Sequence, residues 1–229
     1  MFELNLQYFG GRGSGSDLSN SGSGENIDIR NRQDIWSYRH NPDNADFVDS
    51  INNAIDIMQD DFKGVMDFVK SVVAGNLVGR GSSRGIKALG CYGDGEVAMN
   101  LKYTDVQLMN EAMDRSFRNG YHPSRGSYNG VEAVTFHEMG HALSDYLASK
   151  MGVKDLDKAS EIIVKNAYKA SKGKGGTEAW AKNISRYATK NNAECVAEAC
   201  ADWYCNGAKA SPQARAIVKE MIRINGLKR

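Results

Sequence analysis

The residues with the clearest chemical character form the stretch Phe136-His137-Glu138-Met139-Gly140-His141-Ala142. Residues four apart lie on one face of a helix, so the imidazoles of His137 and His141 can bind one metal ion. Glu138 directly follows His137, which places its carboxylate beside the ion, where it can take a proton from a metal-bound water. This H-E-x-x-H pattern is typical of a catalytic zinc site.

A histidine pair on a helix face can also be plain surface or core packing. The chain has only four histidines, and two of them fall in this stretch. The flanking residues are apolar, which predicts a buried helix, and an unliganded glutamate buried between two histidines would be costly. These observations favour a metal site.

A catalytic zinc ion needs a third protein ligand and an open fourth position. Glu194, Glu198 and Asp202 are spaced by four residues in an otherwise apolar stretch, so a helix would carry all three acids on one face. Spacing alone leaves two alternatives. In the first, Glu194 binds the metal and Glu198 holds a ligand imidazole. In the second, Glu198 binds the metal and Asp202 holds the imidazole.

Two segments carry a family resemblance, HEMGHALSDY at 137–146 and YATKNNAECVAEA at 187–199. They resemble the catalytic domain of anthrax lethal factor and its relatives, including the Pro-Pro endopeptidases, within the gluzincin metallopeptidases. The resemblance covers about residues 85–205. It implies a zinc-dependent endopeptidase with one zinc ion per chain and a protein or peptide substrate.

The resemblance also implies a role for individual residues. Glu194 would join His137 and His141 as the third zinc ligand, and Glu198 would accept a hydrogen bond from a ligand imidazole. Tyr187, seven residues before Glu194, would assist catalysis, and a phenol near a metal can donate to a developing oxyanion. Asp202 would then be a helix-surface or capping acid. Asp145 is expected to make a loop or helix contact, and His122 is expected to be a turn residue.

The expected fold class is α+β. The resemblance implies a zincin-like metallopeptidase fold, with a small twisted sheet whose edge strand lies over the H-E-x-x-H helix, and a helical C-terminal lobe. Alternation at 96–103 predicts a strand with one buried face. In zinc peptidases of this kind the upstream edge strand binds substrate as an added strand. An ordinary sheet strand fits the same pattern. Residues 65–77 fit either a helix or a strand, and a strand is favoured.

Helical periodicity and capping residues predict the remaining elements. Helices are expected at 45–60, 104–118, 129–151, 155–171 and 177–185. Two more are expected, one through the stretch that carries Glu194, Glu198 and Asp202 and one from Ser211-Pro212 to just before Gly226.

The chain length of 229 residues suits one catalytic domain with a tail. Residues 1–24 are expected to be a flexible Gly/Ser-rich tail, and residues 25–229 a single zinc metallopeptidase domain. The opening MFELNLQYFGGRGS resembles the N-termini of tailed-phage structural-operon proteins. It implies a phage or prophage origin and a tail that docks on phage structural proteins or is removed.

Composition narrows the remaining possibilities. The chain is 41% apolar and 25% charged, as in ordinary globular proteins. It has no apolar run of membrane-spanning length and no signal-peptide pattern, so the expected location is the bacterial cytoplasm or the virion. The four cysteines lack C-x-x-C spacing and are expected to be reduced core thiols. The net charge is +1, and nothing indicates nucleic-acid binding. Two alternatives remain: a phage head-associated structural protein with a zinc site, or a toxin-type protease aimed at host proteins.

Overall fold

The computed structural model describes residues 27–28, 42–75, 77 and 88–226. The Gly/Ser-rich tail at 1–24 and the phage-like segment within it lie outside the described residues. The described part belongs to the α+β class, with a four-stranded sheet and a larger set of helices.

The helix that carries the H-E-x-x-H stretch is α3 (Gly130–Met151), as expected, and α1 and α2 precede it at Pro42–Asp61 and Val106–Arg118. Asn129 and Glu132 form a capping box at its start: the Asn129 side chain accepts from the backbone of Val131 and Glu132, and Glu132 accepts from the Asn129 backbone. Gly152 ends the helix with a φ of 65°. Nearly all of α3 is buried, so it forms the centre of the molecule.

Within residues 152–226, four helices follow α3. They are α4 (Leu156–Ala170), α5 (Gly176–Ala181), α6 (Asn192–Asn206) and α7 (Pro212–Asn225). Ser211 caps α7 and Pro212 occupies its first turn, as the sequence predicted. The predicted helix at 177–185 was too long, because α5 ends at Ala181 and Ser185 instead turns inward and bonds the Glu198 carboxylate.

The sheet contains β1 (Ile27–Asp28), β2 (Ser71–Gly75), β3 (Gly90–Gly93) and β4 (Glu96–Asn100), in the order β1-β2-β4-β3. β2 and β4 are parallel, whereas β1 pairs with β2 and β3 pairs with β4 in the antiparallel sense. Asp94 and Gly95 have φ values of 52° and 83°, the backbone conformation of a tight two-residue hairpin turn. The expectation of a strand at 65–77 was half right, because Val65–Phe68 forms a 3-10 turn before β2.

Of the two alternatives for residues 96–103, an edge strand and an ordinary sheet strand, the structure agrees with the second, and the expectation of a single buried face was wrong. β4 lies between β2 and β3, and it ends at Asn100, after which Leu101–Tyr103 form a 3-10 turn. Both of its faces are buried, because Ala98 packs into a second apolar cluster with Cys91 and Val73 on the side away from the main core. Among the described residues, the edge strand that packs on α3 is β3.

α3 packs most extensively against α6, and Gly140 allows the two helices to approach closely. A Cβ atom at Gly140 would lie 2.8 Å from the Cα of Ala197, closer than folded proteins tolerate. This contact brings the acidic face of α6 against the histidine face of α3. Among the described residues, none of the helices combines the length and apolar composition that crossing a bilayer requires.

Candidate metal centre

The two histidines of the H-E-x-x-H stretch lie one turn apart on the buried face of α3. The ring centroids of His137 and His141 are 5.0 Å apart, and both side chains are at most 1% exposed. Glu138 is fully buried beside them. Potential ligand atoms of the three residues lie within 4.8 Å of one another, so this buried cluster could hold a metal ion.

Glu194 reaches the same cluster from the first turn of α6. Its Oε2 lies 3.3 Å from Nε2 of His137 and 3.5 Å from Nε2 of His141. Asn191 caps α6 by accepting from the Glu194 backbone, which fixes this residue at the helix start. Neither Oε2 of Glu194 nor Nε2 of His137 has a hydrogen-bond partner among the described residues. The two atoms therefore face a common point without bonding each other.

Glu138 also borders this point but differs from Glu194 in its contacts. Both of its carboxylate oxygens are buried without a hydrogen-bond partner among the described residues. Strand β3 passes directly over it: a Cβ atom at Gly90 would lie 2.9 Å from Oε1 of Glu138. The edge strand and the glutamate therefore border the same space.

Glu198, one turn after Glu194, contacts the far side of the His137 ring. Its Oε1 accepts from Nδ1 of His137 at 2.8 Å. Because Nδ1 donates to Glu198, Nε2 is the nitrogen left to bind a metal, which it can do once it has lost its proton. The structure thus agrees with the alternative in which Glu194 faces the metal position and Glu198 holds the imidazole.

Asp202 lies away from the cluster. Its carboxylate accepts from the backbone of Ser211 at 2.9 Å and from the Asn206 side chain at 3.0 Å. It therefore joins the end of α6 to the start of α7, which agrees with the expected capping role. Asp145 likewise makes a structural contact, accepting from the hydroxyl of Tyr92 on β3 at 2.9 Å.

Tyr187 is buried in the 3-10 turn Tyr187–Thr189, just before α6. Its hydroxyl donates to Oε1 of Glu194 at 3.1 Å, and Nζ of Lys190 donates to the hydroxyl oxygen at 3.3 Å. Burial and the neighbouring Glu194 carboxylate raise the pKa of Tyr187 well above its usual range. The phenol therefore keeps its proton and remains a hydrogen-bond donor.

The charges of the cluster favour a cation. Burial raises the pKa of Glu138 to about 8, with the charge of His137 opposing and those of Glu194 and Glu198 adding to the effect. Burial alone would lower the pKa of His137, but the nearby Glu194 carboxylate and the hydrogen bond to Glu198 raise it to about 10. The two buried carboxylates Glu194 and Glu198 leave excess negative charge beside the imidazoles, which a divalent cation would balance.

The sequence missed two residues of this network. His122 was expected to be a turn residue, and it does lie in the turn before Pro123, but its Nδ1 also donates to Oε1 of Glu198 at 2.9 Å. Ser185 donates to Oε2 of Glu198 at 2.6 Å. Neither residue has a recognisable spacing to the two motifs, so the sequence held no signal for these contacts.

The four cysteines are buried and free, which confirms that they are core thiols. Burial raises the pKa of Cys195 and of Cys200 to about 12, so both thiols stay protonated.

Comparisons of this chain with protein-family models, with curated proteins and with solved structures find no match.

Proposed function

We propose that the chain is a zinc-dependent endopeptidase with a zincin-like fold, similar to the lethal factor-like gluzincins. The observation that carries this proposal is the convergence of His137, His141 and Glu194, from two separate helices, with Glu138 buried at the same point. A purely structural zinc site has no need for a glutamate in that position.

The distances suit zinc. Ligand atoms about 2.0–2.1 Å from a tetrahedral zinc ion lie about 3.4 Å from one another. The separations of 3.3 and 3.5 Å between Oε2 of Glu194 and the two imidazole nitrogens are close to this value. Two imidazoles and one carboxylate are also a ligand set of catalytic zinc, which leaves a fourth position for water or substrate.

The chain's own residues would divide the chemistry of peptide hydrolysis. A bound zinc ion would supply an activated water and polarise the scissile carbonyl. Glu138 would take the proton of the attacking water and pass it to the leaving amine. Both Glu138 carboxylate oxygens are buried without a hydrogen-bond partner among the described residues, so they are available to hold this proton between the two steps. Tyr187 would donate a hydrogen bond to the developing oxyanion.

Strand β3 is the proposed substrate-binding edge. Among the described residues it pairs only with β4, so its other side can accept an extended peptide as an added strand. Gly90 lies on β3 against Glu138, which would place the backbone of such a peptide beside the catalytic groups. The substrate class is therefore a protein or peptide in an extended conformation.

We also propose a phage or prophage origin, with action in the bacterial cytoplasm or on the virion. This rests on the resemblance of the first fourteen residues to phage structural proteins.

Metal content and cleavage of an unbiased peptide library, compared between the wild type and Glu138→Gln, would test the proposal. We expect one zinc ion per chain in both proteins and cleavage only by the wild type, because Glu138 acts on the water and does not bind the ion. Zinc in both proteins with cleavage by neither would instead support a structural metal protein. Absence of zinc from the wild type would overturn the metal centre itself.

A further inference from the structure

We propose that His122 is a positioning residue of the metal centre, which holds the Glu198 carboxylate in the orientation that aims His137 at the metal. This inference rests on the proposed metal site and extends it to a third histidine, on a loop outside both sequence motifs. His122 would touch neither metal nor substrate, and would act through Glu198.

The contact between His122 and Glu198 has little freedom. Nδ1 of His122 lies 2.9 Å from Oε1 of Glu198, the same oxygen that accepts from His137 at 2.8 Å. The His122 side chain is 0% exposed and that of Glu198 is 1% exposed. A single carboxylate oxygen thus accepts from two imidazoles in a site closed to solvent.

The two oxygens of Glu198 together fix the plane of the carboxylate. Ser185 donates to Oε2, and the hydroxyl of Ser185 in turn accepts from the Ala188 backbone at 3.0 Å. With only the bond to His137, the carboxylate could rotate and take the imidazole with it. Donors from His122 on one oxygen and Ser185 on the other prevent this rotation.

The loop that carries His122 is itself tied to the catalytic segment. The backbone N–H groups of Arg186 and Tyr187 donate to the carbonyl oxygens of Gly120 and Tyr121, at 2.9 and 3.0 Å. These bonds place His122 beside Tyr187, with ring centroids 5.0 Å apart. The loop therefore positions Glu198 and Tyr187 from the same side.

Among the described residues, only Nδ1 of His122 has a polar partner. Nε2 is buried without a hydrogen-bond partner among the described residues, and the ring packs edge-on against Tyr121 at 4.9 Å. A residue retained for packing alone would not need a nitrogen at either ring position. The hydrogen bond to Glu198 therefore explains why position 122 is a histidine.

This role would be tested by measuring the zinc affinity of three variants. They are His122→Asn, His122→Leu and the control Asn206→Ala. Asparagine can place an amide donor where Nδ1 of His122 lies, whereas leucine cannot donate. Asn206 donates to the carbonyl of Ser124 at 2.8 Å and to Asp202 at 3.0 Å, so its loss loosens the same loop and the end of α6 without touching Glu198. Competition with a chromophoric chelator gives the affinity, and the visible spectrum of the cobalt-substituted protein reports the ligand geometry.

We expect His122→Leu to lower zinc affinity about tenfold, the lower limit of what losing a direct partner of a metal ligand usually costs, because His122 acts one step further away through Glu198. The cobalt spectrum should change as well. His122→Asn and Asn206→Ala should stay within a few-fold of the wild type. Thermal unfolding of the zinc-free proteins shows that each variant folds. If His122→Leu does not fold, His122→Gln replaces it, because its amide reaches the Nε2 position instead of Nδ1.

Three results would overturn the inference while leaving the proposed function standing. The first is wild-type zinc affinity and spectrum in His122→Leu. The second is an equal loss in Asn206→Ala, which would reduce His122 to a loop-stabilising residue. The third is a folded His122→Asn variant that binds zinc as weakly as His122→Leu. Absence of zinc from the wild type would instead overturn the proposed metal centre and this inference with it.

Discussion

The hydroxyl of Tyr187 donates to Oε1 of Glu194 at 3.1 Å, while Oε2 of the same carboxylate faces the two imidazoles. One glutamate therefore links the phenol to the histidine pair. Under the proposed function, the Tyr187 hydroxyl would turn from Glu194 to a substrate carbonyl, a role distinct from that of the ligands.

Replacing Tyr187 with phenylalanine removes the hydroxyl and leaves the ring. We expect kcat on a cleaved peptide to fall about 100-fold, the usual effect of losing one oxyanion donor, with zinc content and KM little changed. The matched control is Tyr204→Phe, because the Tyr204 hydroxyl also donates to a carboxylate, that of Asp61 at 3.0 Å, away from the metal centre. A similar fall in kcat in both variants would refute the assignment.

Exchanging the acids of α6 for amides separates the two spacing alternatives. Glu198→Gln should lower zinc affinity about 10–100-fold without abolishing it, because Glu198 orients His137 and does not bind the ion. Asp202→Asn should leave the affinity unchanged, since Asp202 bonds Ser211 and Asn206. Zinc titration with a competing chelator measures both. Weaker binding in Asp202→Asn, together with complete loss in Glu198→Gln, would support the rejected alternative.

A methyl group at Gly140 should separate α3 from α6. The new Cβ would lie 2.8 Å from the Cα of Ala197, a backbone atom that cannot move aside. We expect Gly140→Ala to lower the free energy of unfolding by about 1–3 kcal/mol, the usual cost of overpacking, and to weaken zinc binding as well. Urea denaturation with Gly93→Ala as control provides the measurement, because a Cβ at Gly93 meets no atom within 4 Å. Equal stability of the two variants would contradict the close helix contact.

The contact between α4 and α7 should depend on pH through Glu220. Its carboxylate accepts from Arg223 at 2.7 Å and from Asn166 at 2.8 Å, and the hydrogen bond from Arg223 holds the pKa of Glu220 below its usual range. A group with a lowered pKa in the folded state stabilises the protein above the unfolded-state pKa. That stabilisation is lost as the pH falls through the folded-state pKa.

We therefore expect Glu220→Gln to lower the unfolding free energy by about 1 kcal/mol at pH 7 and by less at pH 3. Urea denaturation of both proteins at the two pH values tests this. A difference that stays constant between the two pH values would show that ionisation of Glu220 contributes nothing.

The helical elements of the site follow from the local spacing of residues in the sequence. The bounds of α3 and the cap of α7 followed from residues next to each other in the chain, namely Asn129 and the pair Ser211-Pro212. The pairing of His137 with His141 is also local, because one helical turn sets it. These features depend on interactions over three or four residues, which a single sequence displays directly.

Contacts between segments that are distant in the sequence were decided only by the tertiary structure. Spacing on α6 alone allowed either Glu194 or Glu198 to face the histidines, and the close packing of α6 on α3 at Gly140 favours Glu194. The order of the strands made β3 the edge in place of β4. His122 joined the network through loop contacts to residues more than sixty positions away. Pairings over such distances depend on which apolar faces bury each other, and that is a property of the whole fold.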